Sequence, residues 1–357
     1  MSDQPSKIDT FDPNGVGLKN GHFIGLPFSE EEANIILFPV PWEVTVSYSE
    51  GTATAPANIL QASAQLDLYD QDLPHAWKMG LYMRPISQYW LKQSERLRSK
   101  ARIYIDMLEE GQKVAEIPLL QELRDEINRS SQTLNQWVKE ECGQLLDKGK
   151  LVGLVGGEHS IPLGYLQALA ERHADFGILQ IDAHQDLRKA YEGFTYSHAS
   201  IFYNALQIPQ ISRLVQVGIR DHCEEEVKLV EQSNDRVKVY YDQVLKSSLF
   251  RGGNYHQMVQ QIINDLPQKV YISFDIDGLD PKLCPHTGTP VPGGLDYAEA
   301  IYLIKCLVES GRQIIGFDLC EVAGMAYEWD GNVGARLLYQ LSIWMGKSNG
   351  RIKKNPG

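Results

Sequence analysis

Four short segments concentrate side chains that bind cations or carry protons. Gly156-Gly157-Glu158-His159-Ser160, Asp182-Ala183-His184-Gln185-Asp186 and Asp275-Ile276-Asp277-Gly278-Leu279-Asp280-Pro281 each follow an apolar run, as does Asp318-Leu319-Cys320-Glu321. Asp182, His184 and Asp186 recur with period two, and so do Asp275 and Asp277. On extended backbone that spacing turns each set to one side. With His159 they make four carboxylates and two imidazoles. Four carboxylates in one pocket repel and cannot all stay ionised without cations. Two divalent ions would balance them. A donor set rich in carboxylate, with a minority of imidazole, favours Mn²⁺ and admits Ni²⁺. Metals paired roughly 3.5–4 Å apart turn a shared water into a hydroxide nucleophile near neutral pH.

These segments need elements to hold them. The apolar runs are Ile35–Phe38, Leu151–Val155, Phe176–Ile181, Leu214–Ile219, Val237–Tyr241, Val270–Phe274 and Ile314–Leu319, with helical patterns such as Pro162–His173, Tyr255–Leu266 and Asp296–Ser310 between them. The alternation predicts an α/β fold with a mostly parallel sheet between helical layers. Ligands of such sheets sit beyond the carboxyl ends of the strands, where the four segments lie. Residues 90–150 read as a helical insertion. Leu134, Trp137, Val138, Cys142, Leu145 and Leu146 share one helix face, with Ser130 or Ser131 as N-cap and Gly149 as the stop. Residues 1–25 read as an extended lead-in, 26–346 as one domain including that insertion, and 347–357 as a flexible basic tail.

The 357 residues carry 34 Lys+Arg against 46 Asp+Glu, a formal charge of -12. That balance argues against a nucleic-acid or anionic-membrane partner and favours a small cationic substrate. The five cysteines form no C-x-x-C pair, which argues against a disulfide framework or a thiolate zinc site. The first residues lack the apolar stretch of a signal peptide, and no run approaches a membrane span. The expected location is the cytoplasm.

Taken together, the segments resemble the ureohydrolase family of arginases, agmatinases and their relatives. That family carries G-G-[DE]-H-S, D-A-H-x-D and S-F-D-x-D-x-x-D-P in this order, matched here by Gly156–Ser160, Asp182–Asp186 and Ser273–Pro281. Thr287-Gly288-Thr289-Pro290, Pro292-Gly293-Gly294-Leu295, and Gly51 with Pro56-Ala57-Asn58-Ile59 extend the likeness. The resemblance implies a three-layer αβα, arginase/deacetylase-like fold. No His-His dipeptide of the one-zinc deacetylases is present. It implies one metal on His159, Asp182, Asp186 and Asp275, and another on Asp182, His184, Asp275 and Asp277. Asp186 then belongs to the catalytic set. His198, in Tyr196-Ser197-His198-Ala199-Ser200, becomes the proton carrier, and Glu321 pairs with the substrate guanidinium.

The implied reaction is attack of the hydroxide on a guanidinium carbon with release of urea, agmatine giving putrescine. Guanidine, aminopropylagmatine and arginine are alternative substrates. Formimidoylglutamase activity and a non-catalytic metal-binding scaffold are further alternatives. Arg188 stands where arginases carry an asparagine, so Arg188, Glu321 and Trp42 are expected at the substrate end. Tyr48, Tyr191, Phe194, His222, His286 and Trp329 also fall near strand ends. The family resemblance implies a homo-oligomer, a trimer or hexamer.

Overall fold

The computed structural model describes residues 7–352. Eight strands form one sheet: β1 (Ile35–Val40), β2 (Leu81–Met83), β3 (Leu151–Gly156), β4 (Phe176–Ile181), β5 (Ile211–Ile219), β6 (Val237–Tyr241), β7 (Lys269–Asp275) and β8 (Gln313–Cys320). Their order is β2-β1-β3-β8-β7-β4-β5-β6, and every pairing is parallel. Every residue of β1, β3 and β4 is buried. Continuous apolar runs, rather than alternating ones, are what a sheet covered on both faces requires.

The four segments singled out in the sequence follow or close β3, β4, β7 and β8, which are the four central strands. Registers Val155↔Leu319, Asp275↔Cys320 and Ile181↔Phe274 bring their carboxyl ends level. A parallel sheet gathers these ends at one edge although they are far apart in sequence.

The helical insertion is two helices, α1 (Gln88–Glu109) and α2 (Pro118–Asp147). Neither Ser130 nor Ser131 caps a helix: α2 runs straight through them and Ser131 is buried inside it. The buried positions Leu120, Leu123, Ile127, Ser131, Leu134, Val138, Cys142 and Leu145 keep one stripe along its length. Pro118 opens the helix, where its missing N–H costs nothing. Gly149, at φ 72°, follows the helix end as expected.

Both chain ends depart from the expected pattern. The lead-in is not extended throughout: Phe23–Gly25 form a buried turn, and the Ile24 N–H donates to Ser63 Oγ over 2.9 Å. The expected tail begins inside a helix, α3 (Glu328–Ser348). Asn349 donates to Ile314 O, and Ser348 Oγ accepts from Ile314 N, so these residues are tied to the start of β8. Residues 353–357 of that tail lie outside the described residues. Two elements had no sequence signal: the three-residue edge strand β2, and α3, whose long buried surface hides any amphipathic period. No described helix is long and apolar enough to cross a membrane.

The centre of the sheet tolerates no added volume. A Cβ on Gly153 of β3 would collide with the Phe317 ring of β8. Gly153→Ala should therefore destabilise the fold by about 2 kcal/mol, through overpacking. The check is the denaturant midpoint against wild type; an unchanged midpoint would contradict this packing.

Candidate metal centre

Three of the aspartates, Asp182, Asp275 and Asp277, each have one oxygen held by a backbone N–H. Asp275 Oδ1 accepts from the Asp277 N–H at 2.9 Å, and Asp277 Oδ1 accepts from the Ala183 N–H at 3.0 Å. Asp182 Oδ1 accepts from the His184 N–H at 2.6 Å, and its Oδ2 from Gln180 Nε2 at 2.8 Å. The remaining oxygens converge on two imidazoles. His159 Nδ1 lies 3.0 Å from Asp182 Oδ2, 3.1 Å from Asp186 Oδ2 and 3.3 Å from Asp275 Oδ2. His184 Nδ1 lies 3.0 Å from Asp277 Oδ2 and 3.6 Å from Asp182 Oδ1. All six residues expected from the sequence are thus brought together.

This arrangement fits two cations. His159/Asp182/Asp186 and Asp182/His184/Asp277 are two compact donor sets that share Asp182. His159 Nδ1 is buried and has no hydrogen-bond partner of acceptable geometry, although three carboxylates surround it. Its other nitrogen explains why. Nε2 sits 2.9 Å from Ser273 Oγ, and that hydroxyl donates to Asp318 Oδ2 over 2.7 Å. Since Asp318 can only accept, Ser273 must receive the Nε2 proton. In the neutral imidazole that a bound cation requires, Nδ1 then presents the lone pair. Ser273 and Asp318 were not among the residues read as site residues. Their signal was available, because Ser273 shares the strand face of Asp275 two residues on.

Charge in the pocket is severe. Burial pushes Asp275 well above the carboxylate range, with Asp277 and Asp182 adding to it. Asp186 rises to about 7 for the same reasons, burial first and then Asp182. Burial also works to raise Asp182, but His159 and His184 hold it well below the usual range. Both imidazoles resist burial and are held well above theirs by the surrounding carboxylates. The site calls for positive charge.

A cavity of about 160 Å³ opens beside these residues, lined in part by His184, Asp186, Arg188, Tyr191, His198 and Asp221. His198, expected from the sequence, lines this cavity. Burial and the imidazoles of His184 and His159 push it down to about 3. Arg188 lies in the wall, its guanidinium 4.8 Å from the Tyr191 ring centre. Glu321 is buried and does not line this cavity: Oε1 accepts from the His159 N–H at 2.8 Å, while Oε2 is unpartnered. Burial and the charge of Glu158 push Glu321 well up. Asp186 and Glu321 both have left-handed backbones, φ 54° and 62°, the kind of strain that collects at working sites.

Trp42 corrects the sequence reading. It is fully buried, edge-on to Trp90 at 5.9 Å, and does not line the cavity. The reason is that Glu158 N–H donates to Trp42 O, which draws this stretch under α1 and away from solvent. Phe194 is likewise buried, while Tyr191 and His222 do reach the cavity.

The loop after β1 closes over the site, and buried carboxylates clasp it. Glu43 accepts from Gly51 N at 2.6 Å and Ala53 N at 2.9 Å. Burial lifts its carboxyl to about 7 against those bonds. The folded protein therefore keeps this proton up to about pH 7, whereas the unfolded chain loses it near 4.5. Stability from this group falls as pH rises between those values. Relative to wild type, the Tm of Glu43→Gln should rise from pH 5 to pH 8; a pH-independent difference would contradict the assignment. For the metal centre, Ser273→Ala should weaken the affinity of metal binding about tenfold or more, measured by chelator competition. Unchanged affinity would mean that Ser273 does not orient His159.

Comparison with known proteins agrees with this geometry. The model of the Arginase family matches residues 33–343. An N(1)-aminopropylagmatine ureohydrolase of Thermus thermophilus is 30% identical, over 82% of this chain and 84% of that protein. One from Synechocystis is 27% identical, over 90% and 92%. The crystal structure of agmatine ureohydrolase of Thermoplasma volcanium shares the fold, with a TM-score of 0.70 at 23% identity, covering 93% and 97% of the two chains. With the family pattern spanning nearly all of the sheet and both donor sets, the chain belongs to the arginase family.

Proposed function

We propose that this chain hydrolyses a guanidino group at a two-metal centre, taking agmatine to putrescine and urea. The observation that carries the reading is Glu321. One of its oxygens is fixed by the N–H of His159, and the other is buried without a partner. A buried carboxylate oxygen in that state calls for a cationic donor, and a planar guanidinium offers paired N–H groups to meet it. Relatives named agmatinase, such as that of Bacillus anthracis at 27% identity, and those named for aminopropylagmatine support a guanidinium-bearing polyamine precursor.

His159, Asp182, Asp186 and Asp275 would hold one ion, and Asp182, His184, Asp275 and Asp277 the other, with Mn²⁺ proposed and Ni²⁺ compatible. Such a pair supplies an activated water and a Lewis acid near neutral pH. The protein does the rest. Glu321 orients the guanidinium with its carbon toward the donor sets. The walls of the cavity exclude bulk water. His198, neutral at rest, takes up a proton released by the attacking water and delivers it to the departing nitrogen, so that the C–N bond breaks with a neutral amine leaving. A second reading, hydrolysis of guanidine itself to urea and ammonia, is favoured by the size of the cavity. Its roughly 160 Å³ is small beside the ~300–1,000 Å³ of most ligand sites.

The test is urea release by the Mn²⁺- and Ni²⁺-loaded protein on agmatine, guanidine, aminopropylagmatine, guanidinobutyrate and arginine. Agmatine should give the highest kcat/KM. A preference for guanidine would establish the second reading. No urea from any of them, with both metals confirmed bound, would overturn the proposal. Glu321→Gln should retain both metals and lose about a hundredfold or more in kcat/KM.

A further inference from the structure

We propose that Thr45, anchored by Glu158, is a positioning residue that fixes the tautomer of His198 and leaves Nε2 as the nitrogen that exchanges protons. The inference deepens the reading above, since it assigns a partner to the proton carrier of that reaction. Thr45 is fully buried in the loop after β1. Its hydroxyl lies 3.1 Å from Glu158 Oε1, accepts from the His198 N–H at 3.1 Å, and lies 3.3 Å from His198 Nδ1.

The hydrogen positions follow from donor counting. Glu158 is fully buried, and its four hydrogen bonds are with two backbone N–H groups and two hydroxyls. Its Oε2 takes the N–H groups of Val44 at 3.0 Å and Thr45 at 2.7 Å, and its Oε1 takes Ser160 Oγ at 2.6 Å. An ionised Glu158 accepts only, so with that carboxylate the single Thr45 hydroxyl hydrogen goes to Glu158. The two lone pairs of Thr45 Oγ then face the N–H and Nδ1 of His198. Both can be satisfied only when Nδ1 carries a hydrogen. Nε2 is left with the lone pair. The same logic operates when a carboxylate orients the imidazole of a catalytic triad, here with a hydroxyl inserted between them. The backbone of the loop is pinned to the carboxylate that orients the hydroxyl, so Thr45 cannot drift without breaking the Val44 and Thr45 N–H bonds.

The experiment is long-range ¹H–¹⁵N NMR on histidine-labelled protein loaded with Zn²⁺, which is diamagnetic, assigned with His198→Asn. Wild type and Thr45→Ser should show His198 protonated on Nδ1. Thr45→Val should lose that preference. In the Mn²⁺-loaded enzyme, Thr45→Val should lower kcat for the best substrate about a hundredfold with KM within about twofold and both metals retained, and Thr45→Ser should recover most of the rate. His198 protonated on Nε2 in wild type would overturn the proposal. So would a Thr45→Val enzyme with unchanged tautomer and kcat. Should Thr45→Val fail to fold, the wild-type spectrum and Thr45→Ser still decide. The NMR reading needs no substrate, so failure of every substrate in the urea assay would refute the proposed reaction without touching the tautomer assignment.

Discussion

Mutual repulsion among four buried aspartates is the constraint on which the structure depends. Asp182, Asp186, Asp275 and Asp277 are each less than a tenth exposed, and their inward oxygens crowd two imidazoles. Such a cluster persists only where backbone N–H groups hold one side of each carboxylate and positive charge meets the other. For three of the four, the N–H groups of Ala183, His184 and Asp277, just beyond the ends of β4 and β7, meet the first requirement. The imidazoles, and the cations that the donor sets fit, meet the second.

The arrangement of roles is layered outward from that cluster. Behind His159 stand Ser273 and Asp318, which decide which nitrogen faces the carboxylates. Beside it stands Glu321, bonded through the His159 N–H. Above it the loop after β1 is fastened by Glu158 and Glu43, both buried, and tied to α1 where Glu43 N–H donates to Ser94 Oγ over 2.8 Å. The groups proposed to hold metal, meet substrate and carry protons are therefore not independent units. They share hydrogen bonds, and a change at one is felt at the others.

The clustering of Asp182, His184, Asp186, Asp275 and Asp277 was legible in the sequence because period-two spacing after an apolar run has only a few structural outcomes. The central strands were legible for the same reason, within a residue or two at most ends. His198 was found through its family segment and does reach the cavity. Thr45 was not found, since its contact with His198 spans 153 positions and leaves no local pattern. Trp42 misled because proximity to a strand end says nothing about which side of the loop it faces. Ser131 misled because a cap residue and a buried helical serine look alike in sequence. The helix α3 was missed because burial on most sides removes the periodicity by which helices are recognised.

The sheet order has a consequence for the birth of the protein. β8 lies between β3 and β7, and it is the last strand among the described residues. Until residues 313–320 leave the ribosome, the earlier strands can pair only as two separate ribbons, β2-β1-β3 and β7-β4-β5-β6. His159 follows the first ribbon, while Asp182, His184, Asp186, Asp275 and Asp277 belong to the second. Arrival of the C-terminal strand is the event that zips the halves together. A chain lacking β8 thus holds all six residues but on two unjoined ribbons, and His159 meets Asp182, Asp186 and Asp275 only once β8 is in place.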